Sequence, residues 1–330
     1  MPHNAAMTSA WHDALQLPLR ALAWLGRQGT RALAALVFIG IAVPPLGALL
    51  KPYVAEAVFC LLCMSFMRVD GAALRRHLAR PGRVLAATAW STLAVPLIVG
   101  LGCVAAGLDR HAPDLFLGVM LQAVASPMMA APALASLMGL DATLVLVALV
   151  ASTALVPFSA PAFAYMFFGG VLTLSPLALG TKLFAILAGA LVVGAVIRRL
   201  AGSAAIERHR DPIDGLNILL MLIFVAGVMG TVAGDFLADP LQVAAMLALA
   251  FAVFFAMLGA TLLIFRKLGR GEALALALMV AQRNMGLMLA ATAGVLPDAT
   301  WLYFALAQFP IYITPQLLRP LANVGRISEA

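Results

Sequence analysis

The chain has 330 residues, of which 64% are hydrophobic and 11% charged, with a net charge of +7, and its mean hydropathy is +1.03. Soluble domains are about 45–50% apolar and about 25% charged, so this composition excludes a soluble enzyme, a nucleic-acid-binding domain and a disordered chain. It points to an all-α polytopic membrane protein, in which surplus positive charge reads first as the arginine bias of cytoplasmic loops.

Residues 1–30 lack the long apolar core and cleavage site of a secretory signal. Trp11, Leu15, Leu19, Leu22 and Leu25 recur there at helical spacing, with Arg20 and Arg27 among them. That suits a short helix on the membrane surface, or a poorly ordered tail. A membrane span takes about 20 apolar residues. Apolar runs separated by short polar breaks place spans near 32–50, 53–69, 84–107, 115–139, 142–168, 175–197, 216–233, 240–265, 272–295 and 299–318. Cys60, Cys63 and Cys103 all fall in apolar stretches and read as small buried hydrophobes, so no disulfide framework, zinc site or other cofactor is expected.

The loop charges support ten spans independently. Arg20, Arg27 and Arg31, the group from Arg68 to Arg83, the group from Arg198 to Arg210, Arg266 to Arg270, and Arg319 and Arg326 all fall on one side. Lys51 and Arg110 are left on the other. Both termini are therefore expected in the cytoplasm, the membrane being the inner, cytoplasmic one.

The chain also repeats. LARPGRVLAA around Pro81 resembles LADPLQVAAM around Pro240, 159 residues on, and the same offset carries Pro127 to Gly286 and Pro161 to Pro320. With ten spans this divides the chain into an N-terminal segment (1–30), two five-helix repeats (31–168 and 169–320) and a tail (321–330). Five is odd, so the repeats would be inverted in the bilayer, as in many secondary transporters. The glycine spacing at Gly227 and Gly230 is too loose to carry an inference of its own.

Ionisable residues inside a bilayer are costly and informative. The acidic residues and histidines all lie in loops or at span ends, which leaves no carboxylate or histidine for a proton relay and no acid–base pair for an enzyme. Lys182 lies within a span but near its outer end, where it can snorkel. Arg283 sits midway along the ninth span, at a cost of about 2.5–3.5 kcal/mol on insertion scales. Gln282, Arg283 and Asn284 cannot all face one way on an intact helix, and Gly286 follows, so the helix is expected to break there. In the fourth span, Pro127 and Pro132 do the same. Ser126-Pro127 reads as an N-cap with proline at the first helical position. Two broken helices at matching places of inverted halves mark a binding site. Its candidate residues are Arg283, Asn284, Gln282, Ser126, Pro127 and Gln122. The bland alternative for Arg283 is a structural arginine satisfying carbonyls freed by the breaks.

Four segments resemble the bile acid:sodium symporter family: FMRVDGAALRRHLARPGRV, the AVP of the third span, PMMAAPALASLMGLDATLVLVALVASTALVP, and VAQRNMGL. The resemblance runs from about residue 31 to 320. It implies ten spans in a core and a panel domain, crossed broken helices 4 and 9, and uptake of organic anions with sodium. The sodium-binding side chains of the family do not carry over. Their positions hold Met279 and Arg283 in the ninth span, Ala131 and Pro132 in the fourth, Ser91 in the third, and Val145 and Leu149 in the fifth. Sodium should favour oxygen donors, by extension from the rule for calcium and magnesium.

The expected function is thus alternating-access transport of a small organic anion without sodium coupling, with Arg283 standing in for the charge of the ion. Its partners would be that anion and the lipid bilayer, with no nucleic acid. Ordinary sodium symport through backbone carbonyls, and a non-transporting receptor or assembly partner that keeps the fold, stay open as alternatives. The topology has a direct test. In a cysteine-free background, a membrane-impermeant maleimide added outside should label Phe236→Cys and spare Arg75→Cys; external labelling of both would overturn the ten-span layout.

Overall fold

The computed structural model describes residues 17–28, 30–68, 81–168, 172–292 and 295–327. Expectations for Trp11, Leu15, Arg75, Arg76 and Arg80 lie outside the described residues. Helix α1 covers 17–28, α2 Thr30–Ala42, α3 Pro44–Arg68, α4 Pro81–Ala105, α5 Leu108–His111, α6 Pro113–Val124, α7 Ala131–Leu137 and α8 Ala142–Phe167. Then come α9 Pro176–Ala201, α10 Ser203–Arg208, α11 Arg210–Met229, α12 Val232–Ala238, α13 Pro240–Phe265, α14 Arg270–Ala281, α15 Met285–Ala291 and α16 Asp298–Ile327. No strand occurs among the described residues.

Six helical runs among the described residues are long and apolar enough to cross a membrane: Pro44–Arg68, Pro81–Ala105, Ala142–Phe167, Pro176–Ala201, Arg210–Ala238 and Pro240–Leu268. This is the architecture of an integral membrane protein, in which helices satisfy their own backbone groups where water cannot. Two acidic residues cap helices, whereas Glu56, expected at a span end, lies near the middle of α3. Asp141 caps α8 by accepting from the N–H groups of Thr143 and Leu144, and Asp239 caps α13 through Gln242. Carboxylates suit these ends, where free N–H groups and the helix dipole favour negative charge.

Three expectations need correction. The junction expected between residues 50 and 53 lies at Val43, because Pro44 and Pro45 start α3. Pro52 is absorbed inside α3 by a 3-10 turn over Lys51–Tyr53, with Val54 N–H bonded to Lys51 O. Lys51 is therefore within a helix, not in a loop. The N-terminal stretch described from residue 17 is helical and meets the start of α11: Gly26 of α1 sits against the Asp211 carbonyl and Leu22 against Gly215. Finally, the cysteines are all free, but Cys60 is exposed rather than buried.

The chain forms two compact units, one from the described residues up to Arg68 with Ala190–Gly230, the other from those in Val69–Gly189 and Thr231–Ala330. Each draws on both halves of the sequence. In the first, α11 packs along α2 and α3 through small residues. A Cβ added to Gly47 would lie 2.4 Å from the Gly230 Cα, and one on Gly227 would lie 2.4 Å from Val54 Cγ2. Lipid tails are as apolar as leucine, so close backbone approach across small residues replaces the hydrophobic drive between membrane helices. In the second unit, α13 packs on α14 and α16, α4 on α8, and α6 on α16. Trp90 Nε1 donates to Thr261 Oγ1 (2.9 Å), tying α4 to α13, and Arg83 NH1 grips both oxygens of Glu272 (2.5 and 2.6 Å), tying the start of α4 to that of α14.

The glycine contacts predict a contrast. Gly47→Val should lower the thermal midpoint of the detergent-purified protein, with a cost of about 1–3 kcal/mol or more from overpacking. Gly259→Ala, where a Cβ would meet nothing within 4 Å, should leave it unchanged or slightly raised. Equal midpoints for both would refute close glycine packing in the first unit.

Candidate functional site

The second unit contains two helices broken in the same way. α6 and α14 each have 12 residues, and the helices that resume after them, α7 and α15, each have 7. Between them the chain is extended, with Ala125 at φ −60°, ψ 150° and Gln282 at φ −85°, ψ 93°. The two extended stretches meet. Pro127 and Arg283 face each other as an antiparallel bridge, flanked by Asn284 N–H donating to Ser126 O and Met128 N–H donating to Gln282 O, both at 2.7 Å. Proline suits this point. In an antiparallel pair the residues directly opposite each other alternate between bonded and non-bonded, and Pro127 occupies a non-bonded place where its missing N–H leaves nothing unpaired.

The details differ from the sequence expectation. Ser126 does not cap a half-helix; its carbonyl is in the bridge and its hydroxyl has no partner. α7 starts only at Ala131, where Ala130 makes no side-chain cap and Pro132 supplies the starting proline. Pro132 therefore belongs to a helix start and not to the break. Gly286 likewise lies inside α15; the break is Gln282–Asn284, and Asn284 caps the new helix by accepting from Leu287 N–H (3.1 Å). Polar side chains that bond backbone N–H groups favour caps over helix interiors, which is why the break falls at Asn284 and not at the glycine.

Arg283 is 2% exposed. Its NH1 donates to Ala125 O (2.9 Å), to Ser91 O (3.2 Å) and to Ser91 Oγ (3.2 Å), and its NH2 donates to Ser91 O (3.3 Å). Both carbonyls are products of local helix failure. Ala125 lies just past the end of α6. Ser91 lies in a π-helical segment of α4, Trp90–Ala94, where Val95 N–H bonds back to Trp90 O. In that register the donor for Ser91 O would be residue 96, which is proline and has no N–H. The guanidinium supplies the missing donor. Its Nε has no partner, and no carboxylate among the described residues forms an ion pair with it. Among the described residues, its hydrogen-bond partners are two carbonyls and one hydroxyl.

The other candidates spread out from this point. Gln122 Oε1 accepts from Tyr303 Oη of α16 (2.5 Å), and its Nε2 is buried without a partner. Gln282 Nε2 donates to Ile311 O (3.4 Å), and its Oε1 is buried without a partner. Of the six proposed binding residues, Arg283, Gln282, Ser126, Pro127 and Gln122 are buried, and Asn284 alone is partly open. Met128 and Met129 are also partly open, and Ala130 is exposed. Met279, Val145 and Leu149 are fully buried and apolar, Ala131 is buried, and Pro132 is partly exposed. Of this altered set, Ser91 is the member that hydrogen-bonds Arg283, and its carbonyl, like that of Ala125, accepts from the guanidinium.

Sequence reasoning assigned Tyr303 no role and Pro96 only a place in the AVP motif. A phenol hydroxyl in an apolar span was a usable signal for Tyr303; nothing linear pairs Pro96 with Arg283. The chain matches none of the protein-family models compared with it, and none of the curated proteins.

Arg283→Met should lower stability by at least about 2 kcal/mol, since hydrogen bonds to charged groups contribute about 1.5–3 kcal/mol each and their loss strands buried acceptors. Adding Pro96→Ala should recover part of that loss, because residue 96 then has an N–H for the Ser91 carbonyl. Thermal unfolding of the single and double variants checks this; strictly additive losses would refute the orphan-carbonyl account.

Proposed function

We propose that this protein is an alternating-access carrier of small organic anions that works without sodium. The observation carrying this reading is a buried guanidinium with no carboxylate partner among the described residues, held at the crossing of two broken helices whose segments match in length. The anion approaches the open side of the crossing. There Asn284 keeps its amide nitrogen for a ligand while its Oδ1 caps α15, and Met128, Met129 and Ala130 offer an apolar surface. Arg283 lies one residue behind. In surroundings of low dielectric its charge attracts an anion more strongly than it would in water, without touching it in this conformation.

We further propose the ten-span, inverted-repeat plan of the bile acid:sodium symporter family that the chain resembles. The equal 12- and 7-residue segments on both sides of the crossing support it, as does the antiparallel pairing of the breaks. The loop arginines support cytoplasmic termini in the inner membrane.

Independence from sodium follows from what occupies the crossing. A mobile cation there could bind and leave with the substrate; a guanidinium fixed to the chain cannot. Coupling requires an ion whose affinity differs between states of the substrate site, and with Ser91 O and Ala125 O bonded to Arg283 there is no ion site to differ. Transport is then downhill or by exchange. A non-transporting receptor has less support, because both breaks and the buried charge are retained at a cost that a scaffold need not bear.

The test begins with a thermal-shift screen of purified protein against organic anions, since a ligand of the folded state raises its stability. A confirmed ligand should stabilise the protein and enter proteoliposomes equally in sodium, potassium and choline buffers. A tenfold change of affinity with sodium, about 1.4 kcal/mol, would restore sodium symport; stabilisation without entry would favour the receptor.

A further inference from the structure

In the first unit, three arginines from three helices converge. α3 ends on Arg68, α9 carries Arg198 in its last turn, and α11 opens with Arg210. Gly202, at φ 78°, joins α9 to α10 in a conformation that side-chain-bearing residues rarely adopt. The turn lets α10 add Ser203, Ile206 and Glu207 to the same wall. The result is a cavity of about 410 Å³ lined by Arg68, Arg198, Ser203, Ile206, Glu207 and Arg210.

Among the described residues that line it, three guanidinium groups stand with one carboxylate, that of Glu207, which is 3.7 Å from Arg210 NH1, beyond hydrogen-bond distance. Asp214 does not line the cavity. It accepts one hydrogen bond from Arg68 NH2 (2.6 Å) and lies 3.8 Å from Arg210 Nε, so it orients both side chains. Arg198 is oriented in turn by donating from NH1 to Met67 O (3.2 Å). A guanidinium has five N–H donors in a fixed fork, so Arg68 and Arg210 keep donors for a ligand.

The level of the cavity narrows the ligand. α3 and α9 are both long and apolar enough to span a membrane, and both end here. The end of an apolar span is where the hydrocarbon gives way to headgroups. Guanidinium forks pair bidentately with phosphate oxygens, and basic pockets between membrane helices suit anionic headgroups.

We propose that this cavity binds a phosphate-bearing anion, either the headgroup phosphate of an anionic membrane lipid or a free phosphate monoester of the same chemistry. The full-length protein, purified in neutral detergent, is titrated with short-chain phosphatidylglycerol, glycerol phosphate, inorganic phosphate and diacylglycerol. Binding is read by native mass spectrometry and by thermal shift. Saturable binding of phosphatidylglycerol alone assigns a lipid; binding of glycerol phosphate or inorganic phosphate as well assigns the phosphate group whatever its source. Arg210→Gln should weaken binding at least tenfold. Ser203→Glu, which adds a carboxylate to the wall without removing an ion pair, should do the same at an unchanged melting temperature. The proposal is overturned if no phosphate compound binds, if diacylglycerol stabilises as much as phosphatidylglycerol, or if both variants bind within twofold of the native chain.

Discussion

A carbonyl oxygen inside an apolar protein must have a donor, and around this requirement the second unit is built. Breaking α6 and bulging α4 each free a backbone oxygen where no water arrives. Leaving such groups unpaired costs several kcal/mol apiece in a membrane interior. One side chain answers both: the Arg283 guanidinium bonds Ala125 O and Ser91 O. The cost of burying its charge and the cost of orphaning the carbonyls are thus set against each other. Neither defect would be tolerable alone, which is why the arginine, the π-helical segment with Pro96 and the break after Val124 occur together.

The same logic explains the pairing of the two breaks. An extended stretch inside a helical membrane protein has N–H and C=O groups pointing sideways, with no helix to receive them. Two such stretches running antiparallel can satisfy one another, and Ser126, Met128, Gln282 and Asn284 do so. Pro127 then falls at the one type of position in the ladder that needs no donor. The crossing is therefore a small piece of β-structure in an all-helical chain, and it holds a cation fixed at the point where the chain departs from helix. A carrier that moves an anion past such a point has its counter-charge built in, and this connects the packing to the proposed chemistry.

The first unit uses a different device. Its helices meet through Gly47 and Gly230, where backbones approach too closely for any side chain, and through Gly227, packed on the Val54 side chain. This is the membrane form of core packing, with van der Waals contact in place of the hydrophobic effect. At the end of the same helices, charge replaces packing: Asp214 and the Met67 carbonyl orient arginines around an open cavity.

By itself the sequence determined the class of the protein, the long apolar helices and the two places where a membrane helix must fail. Composition decides whether a surface can face water, and Pro127 and the Gln282–Asn284 triplet cannot continue an apolar helix. It also singled out Arg283, because a lone charge in an apolar run needs a reason. It misplaced the junction at Val43 and the roles of Pro132 and Gly286, and it passed over Gly227 and Gly230 as too loosely spaced. Those depend on partners far along the chain. Whether a proline starts a helix or is absorbed in a 3-10 turn is decided by which donors its neighbours find. Whether a glycine matters is decided by the helix laid against it. Whether a buried arginine faces a ligand or two stranded carbonyls is decided only when Ser91 and Ala125, 192 and 158 residues away, are brought to its guanidinium.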